Sequence, residues 1–361
     1  MVMSKGVSSS YTIRQLESSD VNAVVDFQGE YYGRSLADDF YRWKYFQNPI
    51  CPSRVWIAET QGKLIGMAAV TFKRLKINDA TFLCGELGDF LVHSDYRLQG
   101  IFTALVNEIC TQSLADGAKI FYVRPGDPSF PGLLRLGFQE VFRLTQLTTV
   151  FNVRNVLRRK ISNPLLLNVA WPFAQALARM VFHLSSGGVA SDFEISRVSC
   201  FDDSIDELWE RVAKRHQTIV VRDKKYVNWR YAENPRNYTI YVAKRDHSPV
   251  GYTVISQQRY HTGLLHGYFV DILTDPDCPE LTGTLMSRAL EDFRKNQVDL
   301  AHSWVIKTSE LCRTFKTYGW RVVFGDELHF VIRTHNLPRC YEEQLKAPGT
   351  WFLTTGETDG V

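Results

Sequence analysis

The sequence predicts an α/β protein with mixed sheets, organised as two tandem units joined by a helical linker. Strand-type and helix-type apolar patterns alternate along most of the chain. The segment Trp43-Lys-Tyr-Phe-Gln-Asn-Pro49 recurs as Trp229-Arg-Tyr-Ala-Glu-Asn-Pro235, with four of seven positions identical. The segments downstream of each copy also recur in order: a strand at 55–59 and one at 239–244, then Gly66 and Gly251 in the next strand. Asp89 and Asp271 come next on a central strand, and Gly137-Phe138 and Gly319-Trp320 come after a late helix. A repeat of this length means two copies of one domain. A chain of 361 residues has room for both, since domains usually hold about 100–200 residues. The expected division is 10–152 for the first unit, 153–190 for the linker, 191–335 for the second unit and 336–361 for a tail without clear signal.

Within the first copy, Tyr11 to Leu16 reads as a strand, and Ser19-Asp20 caps a helix from Val21. The aromatic segment from Phe40 is helical until Asn48-Pro49 stops it. Val55 to Glu59 and Lys63 to Phe72, separated by Gln61-Gly62, form a hairpin. A central strand covers 84–93. From Ile101 the apolar residues Ile101, Leu105 and Ile109 fall at helical spacing, and Asp116-Gly117 ends that helix. A strand at 119–124, a short helix at 130–136 and a strand from about 139 to 151 close the unit.

The stretch with chemical content is Glu86 to Phe102. A strand ending in Phe90-Leu-Val92 runs into a turn at Ser94-Asp95, and the turn opens the helix from Ile101. Arg97, Gln99 and Gly100 stand at the helix N-terminus, where unpaired N–H groups and the helix dipole favour anions. Gly100 lets the backbone approach a bulky diphosphate because no Cβ intervenes.

This strand–turn–helix resembles motif A of the GNAT superfamily, the acyl-CoA-dependent N-acyltransferases. The family pattern Gln/Arg-x-x-Gly-x-Gly/Ala reads here Arg97-Leu98-Gln99-Gly100-Ile101-Phe102, with Phe102 replacing the last small residue. Leu133-Leu-Arg-Leu-Gly-Phe138 is similar to the family's later helix. The resemblance implies acetyl-CoA or another acyl-CoA as cosubstrate, held by Arg97, Leu98, Gln99, Gly100, Ile101 and Phe102. It also implies that pantetheine pairs with the main chain near Leu91 and Val92, whose side chains are expected to be plain core. Two candidate bases stand on the central strand: Glu86, matching the position most often used through a water, and Asp89, an acid among apolar residues. In a regular strand they face opposite sides, and a bulge would upset that parity. The family tyrosine that serves as general acid is absent, since its position is Leu133; Tyr122, solvent or the acceptor's own ammonium proton are the alternatives. Arg135 is a weaker phosphate candidate. His93 is expected to cap or pack, and His216 and His302 have no motif partner. Trp43 and Trp229 are expected in the core; Tyr45, Asn48, Tyr231 and Asn234 either face an acceptor or end a helix.

In the second copy, Asp275-Pro-Asp-Cys-Pro-Glu280 stands where the first has its glycine turn. Two prolines without N–H and three carboxylates suit no pyrophosphate, so this copy is expected to bind no coenzyme A. Between the copies, Arg154, Arg158, Arg159 and Lys160 precede the apolar stretch Leu165 to Leu184. Its internal Asn168, Pro172, Gln175, Arg179 and His183 argue against a membrane span. Helices packed on the domains are expected, with a helix lying on a membrane surface as the alternative.

A net charge of +3 gives no case for nucleic acid. Seven scattered cysteines with no CxxC spacing suggest reduced thiols in a cytoplasmic protein and no metal framework, and Met1 to Ser10 shows no signal peptide. The expected function is an acyl-CoA-dependent N-acyltransferase acting on a primary amine, with a nucleotide-linked amino sugar as one acceptor by analogy. The other reading is a non-catalytic acyl-CoA-binding or interaction protein with a vestigial acyltransferase fold.

Overall fold

The computed structural model describes residues 11–32, 37–159, 161, 163–185 and 192–358. Its strands are β1 (Thr12–Gln15), β2 (Arg54–Thr60), β3 (Lys63–Ile77), β4 (Ala80–Val92), β5 (Ile120–Val123), β6 (Gln139–Val150), β7 (Glu194–Val198), β8 (Thr218–Val220), β9 (Thr239–Arg245), β10 (Ser248–Arg259), β11 (Leu265–Thr274), β12 (Leu300–Ile306), β13 (Arg321–Thr334) and β14 (Trp351–Phe352). The helices are α1 (Val21–Tyr32), α2 (Asp38–Phe46), α3 (Ile101–Ala115), α4 (Phe130–Arg135), α5 (Val153–Leu157), α6 (Pro164–Ser185), α7 (Ser204–Ala213), α8 (Lys224–Val227), α9 (Leu281–Lys295), α10 (Glu310–Thr317) and α11 (Arg339–Lys346). They form a mixed α/β architecture in two compact units. One comprises Met1–Arg74, Phe82–Glu140 and Val331–Leu337, the other Leu75–Thr81, Val141–Phe330 and Pro338–Val361.

In the first unit the strands run β1-β2-β3-β4-β5-β13. Gln61 and Gly62 close the β2–β3 hairpin with φ of 50° and 73°, the left-handed geometry that matches the twist of the flanking strands. The last strand of this sheet comes from far along the chain: Val331–Thr334 of β13 pair antiparallel with β5. Helix α3 lays Ile101, Leu105, Val106 and Ile109 on Ala58, Val70, Leu87 and Phe121, one face of a 3.6-residue period. A Cβ built on Gly66 would stand 2.9 Å from Ile101, so the glycine sets how near α3 lies to the sheet.

In the second unit the order is β13-β6-β12-β11-β10-β9-β7. Here β6, expected from the sequence to close the first unit, lies in the second from Val141 on and runs antiparallel to β12 from Leu144↔Ile306 to Val150↔Leu300. The repeated glycine does the same work as Gly66: a Cβ on Gly251 would stand 2.8 Å from Leu281 of α9. Helix α9 buries Leu281, Leu285, Ala289 and Phe293 on that sheet. Helix α6 packs on α5. No helix among the described residues is long and apolar enough to cross a membrane.

The tail is a built part of this unit. Trp351 stacks edge-on against Phe142 and Phe330, and β14 pairs in parallel with β8. Thr354 to Thr358 are buried. Arg222 lies between two carboxylates, Asp271 of β11 and Glu357 of the tail, all nearly solvent-free. Asp271 also accepts from Tyr231 at 2.8 Å, Tyr252 at 2.9 Å and Thr354 at 2.9 Å. Burial, and after it the Asp271 charge, raises both phenols well above their usual range, so they stay donors. Burial likewise pushes the Glu357 carboxyl up against the pull of Arg222.

Two histidines of this unit, the buried His302 and the half-buried His216, are held in neutral form. Burial lowers His216 and His302 to about 4. His302 is held by Gln146 and Thr148 at 2.9 Å and by His266 at 3.0 Å. Unfolding returns each to about 6.5, so between pH 6.5 and 4 the unfolded chain binds more protons than the folded one. Stability should therefore be full above pH 6.5 and fall toward pH 4, by about 1.4 kcal/mol per pH unit for each histidine. Urea midpoints across this range check it. His302→Gln should flatten the slope, and an unchanged slope would contradict the assignment.

Candidate functional site

The site is built on β4. Its parallel pairing with β5 covers Cys84↔Ile120, Gly85↔Phe121 and Glu86↔Tyr122. Beyond Glu86 β4 continues to Val92, without a β5 partner in that register. At the far end the chain stays tied to β3, His93 N–H donating to Ile65 at 2.9 Å. The two parallel strands therefore part after Glu86. Asp89, inside β4, has φ +51°. A left-handed residue within a strand breaks the alternation of side chains, as a bulge does. The argument that Glu86 and Asp89 point to opposite faces by simple parity does not apply here.

The two carboxylates have different surroundings. Glu86 is buried and takes the ammonium of Lys73 at 2.5 Å; both side chains are nearly solvent-free. That ammonium also lies 5.6 Å from the centre of the Tyr122 ring. Asp89 is about one-fifth exposed and accepts from Lys44 at 2.6 Å and from Tyr45 at 2.8 Å. Sequence reasoning missed both lysines. The signal for Lys44 was its place inside the repeat, where Arg230 is its counterpart. Lys73 could have been sought as a cation on the hairpin strand that precedes the glutamate's own.

The repeat itself has a chemical reading. Tyr45 donates to Asp89 and Tyr231 donates to Asp271, each at 2.8 Å. Asn48 and Asn234 are buried, and each accepts at 3.0 Å from the N–H two residues on, the Asx turn that ends the helix before proline. Trp43 and Trp229 are core. The tyrosines fasten the central-strand aspartates, and the asparagines shape the turn.

After Val92 the turn tightens. His93 accepts at 3.3 Å from the Asp95 N–H, the capping role expected of it. Leu98 and Gly100 have φ of +62° and +82°. Leu98 is fully exposed, and a Cβ on Gly100 would meet nothing within 4 Å. Among the described residues, the N–H groups of Leu98, Gly100, Ile101 and Phe102 find no acceptor. A set of donors facing open space around a glycine fits a diphosphate. Gln99 reaches back to the Asp95 carbonyl at 3.3 Å, and Arg97 bonds Val92 O and the Tyr31 hydroxyl at 3.3 Å while lying over the Tyr31 ring. Leu91 is core and Val92 packs beside the core, in line with the expectation for their side chains, and the side chain of Ile101 is core as well. Arg135 is exposed on α4. Leu133 is buried in the core.

Phe102, which stands where the GNAT pattern has a small residue, packs edge-on against Phe90 with ring centres 5.3 Å apart. Its other side meets Gly132, where an added Cβ would stand 2.7 Å from the ring. The bulk gained at position 102 is thus matched by a missing side chain on α4.

An acetyltransferase (GNAT) domain model matches residues 12–141. No curated protein matches the sequence. Among solved structures, the tandem GNAT protein from the clavulanic acid biosynthesis pathway is 13% identical, covers 90% of this chain and 98% of its own, with a TM-score of 0.60. A probable N-acyltransferase from Enterococcus faecalis is 12% identical over 90% of this chain and 73% of its own, with a TM-score of 0.61. The Saccharomyces cerevisiae N-myristoyltransferase, solved with myristoyl-CoA, is 12% identical over 91% and 80%, with a TM-score of 0.64. Residues 12–141 are thus similar to GNAT acetyltransferase domains. The chain as a whole has the fold of tandem GNAT proteins.

The fit of Phe102 against Gly132 is testable as a coupling. Gly132→Ala alone should cost about 1–3 kcal/mol by overpacking. In the Phe102→Ala background the same change should cost clearly less, because the ring it strikes is gone. Urea unfolding of the four proteins measures the difference, and equal costs in both backgrounds would contradict the contact.

Proposed function

We propose that the first unit transfers an acyl group from acyl-CoA to a primary amine by direct attack. The observation that supports it most is the parting of β4 from β5 directly before a turn whose amides face open space. A diphosphate bound at Leu98–Phe102 would lead its pantetheine arm along Leu91 and Val92, into the side of β4 that β5 leaves uncovered. Holding amine and thioester together supplies up to about 7–11 kcal/mol in ideal geometry. The amine nitrogen forms its bond to the carbonyl carbon, the C–S bond breaks, and the coenzyme thiolate leaves and takes up a proton. The amine's own proton goes to a carboxylate. Asp89 is the favoured acceptor because it is the partly exposed one, already oriented by Lys44 and Tyr45. Glu86, sealed with Lys73, would act only through a water at the foot of the split.

The acceptor is proposed at the level of a primary amine. The aromatic residues Phe40, Tyr41, Trp43 and Tyr45 of α2 pack on one another and are buried, so they offer no platform for stacking a base or sugar. A nucleotide-linked amino sugar remains one member of the amine panel to be assayed. The second unit is proposed to take no coenzyme A. Asp275 of its acidic turn is engaged by Arg211 at 2.7 Å. The space where β11 and β12 part, after Tyr268, receives the chain's own Thr355–Glu357, with Thr355 accepting from Trp304 N–H at 2.9 Å.

Millimolar acetyl-CoA, well above its Kd, should raise stability by a few kcal/mol, and thiol release across an amine panel then separates an enzyme from a binder. Gly100→Val places a β-branched residue at φ +82° and should abolish the thermal shift; an intact shift would mean that the coenzyme site is misplaced. Asp89→Asn should lower kcat about 10²–10⁴-fold and remove the acidic limb of the pH–rate profile. A profile unaltered in both Asp89→Asn and Glu86→Gln would remove the carboxylates from the reaction.

A further inference from the structure

The linker helices carry a surface that acyl transfer does not use. The described side chains of α6 are fastened on one side only. Leu167 is buried, Gln175 accepts from Val153 N–H at 3.0 Å and donates to Phe151 O at 3.1 Å, and Trp171 lies under the Arg154 guanidinium. On the opposite side Leu165, Leu166, Val169 and Phe173 are 75%, 61%, 66% and 76% exposed. At 3.6 residues per turn these four fall within an arc of about 100°, turned away from the residues that dock. They are half of the large apolar side chains that the described residues expose. A continuous stripe of this kind marks an interaction surface.

The charge around the stripe identifies its partner. Residues 153–191 contain Arg154, Arg158, Arg159, Lys160 and Arg179 and not one Asp or Glu. The rest of the chain holds 37 basic and 39 acidic side chains, out of totals of 42 and 39, so this segment carries all of the net positive charge. Arg158 and Arg159 line an open cleft of about 340 Å³ with Asn155, Gly263 and Leu264. Neither is ion-paired among the described residues. A helix with an apolar face beside unneutralised arginines suits an interface that is oily below and anionic at its surface. From this we infer that α5–α6 form a docking surface for an anionic phospholipid membrane. Leu165, Leu166, Val169 and Phe173 enter the acyl boundary, and Arg158 and Arg159 take lipid phosphates.

The full chain is tested by co-sedimentation with vesicles of phosphatidylcholine alone and of phosphatidylcholine with phosphatidylglycerol. It should bind the anionic vesicles, bind the neutral ones far less, and be released by high salt. Val169→Ser with Phe173→Ser should weaken binding roughly tenfold or more. Arg158→Gln with Arg159→Gln should weaken it by about fivefold per arginine. These side chains are exposed, so an unchanged melting temperature shows that the variants fold. The inference is overturned if the chain ignores anionic vesicles or binds neutral ones equally, or if the serine pair binds as well as the parent. It is also overturned if light scattering shows a dimer that the serine pair abolishes, for then a second copy of the chain covers the stripe.

Discussion

An aspartate set inside a β-strand between apolar neighbours is unfavourable unless donors satisfy it, and both units satisfy it with the same residue. Tyr45 reaches Asp89 and Tyr231 reaches Asp271, each from the repeated aromatic segment and each at 2.8 Å. The tether belongs to an irregular central strand. Asp89 has a left-handed backbone. In β11 the register against β10 slips, Val254 facing Asp271 and Ile255 facing Phe269, so one residue of β11 is left over. A bulged strand bends and twists away from its neighbour. In each unit the parallel partner is paired for only three residues before the strands part.

The occupant of that parting distinguishes the units. In the second it is protein: Gly356 lies so close that a Cβ there would come within 3.3 Å of Val270 O, and Glu357 joins Asp271 on one arginine. A single guanidinium between two carboxylates, with three further hydroxyl donors on Asp271, makes the tail part of the interior. In the first unit the corresponding strand edge adjoins the turn at Leu98–Phe102, with donors that the described residues leave unmatched. The same architectural opening thus meets a folded tail in one unit and a proposed thioester in the other.

Local features were legible in the sequence, and distant pairings were not. The hairpin at Gln61-Gly62, the helix from Ile101, the core place of Trp43 and Trp229 and the capping of His93 arise from turn chemistry and periodicity within a few residues. The exchange that gives Val331–Thr334 to β5 and Leu144–Val150 to β12 has no local signature, because an apolar alternating strand suits either sheet. The tail carried no signal for a similar reason: Thr354 to Thr358 is short and polar, and becomes interior only through Arg222 and Asp271, far away in sequence. At the candidate site Asp89 stood out by type, while its partners did not: Lys44 passed unremarked inside the repeat, and Tyr45 was read as facing an acceptor or ending a helix rather than as a donor to Asp89. Phe102 looked like a departure until Gly132 supplied the missing volume.

The central claim is that the first unit's split strand, and not the second's, receives the thioester. Amide hydrogen exchange with and without acetyl-CoA tests it most directly, since bound donors exchange more slowly. Protection should appear in peptides covering 88–93 and 97–103, with 269–273 unchanged. Protection centred on 269–273, or none in the first unit at saturating ligand, would contradict the account.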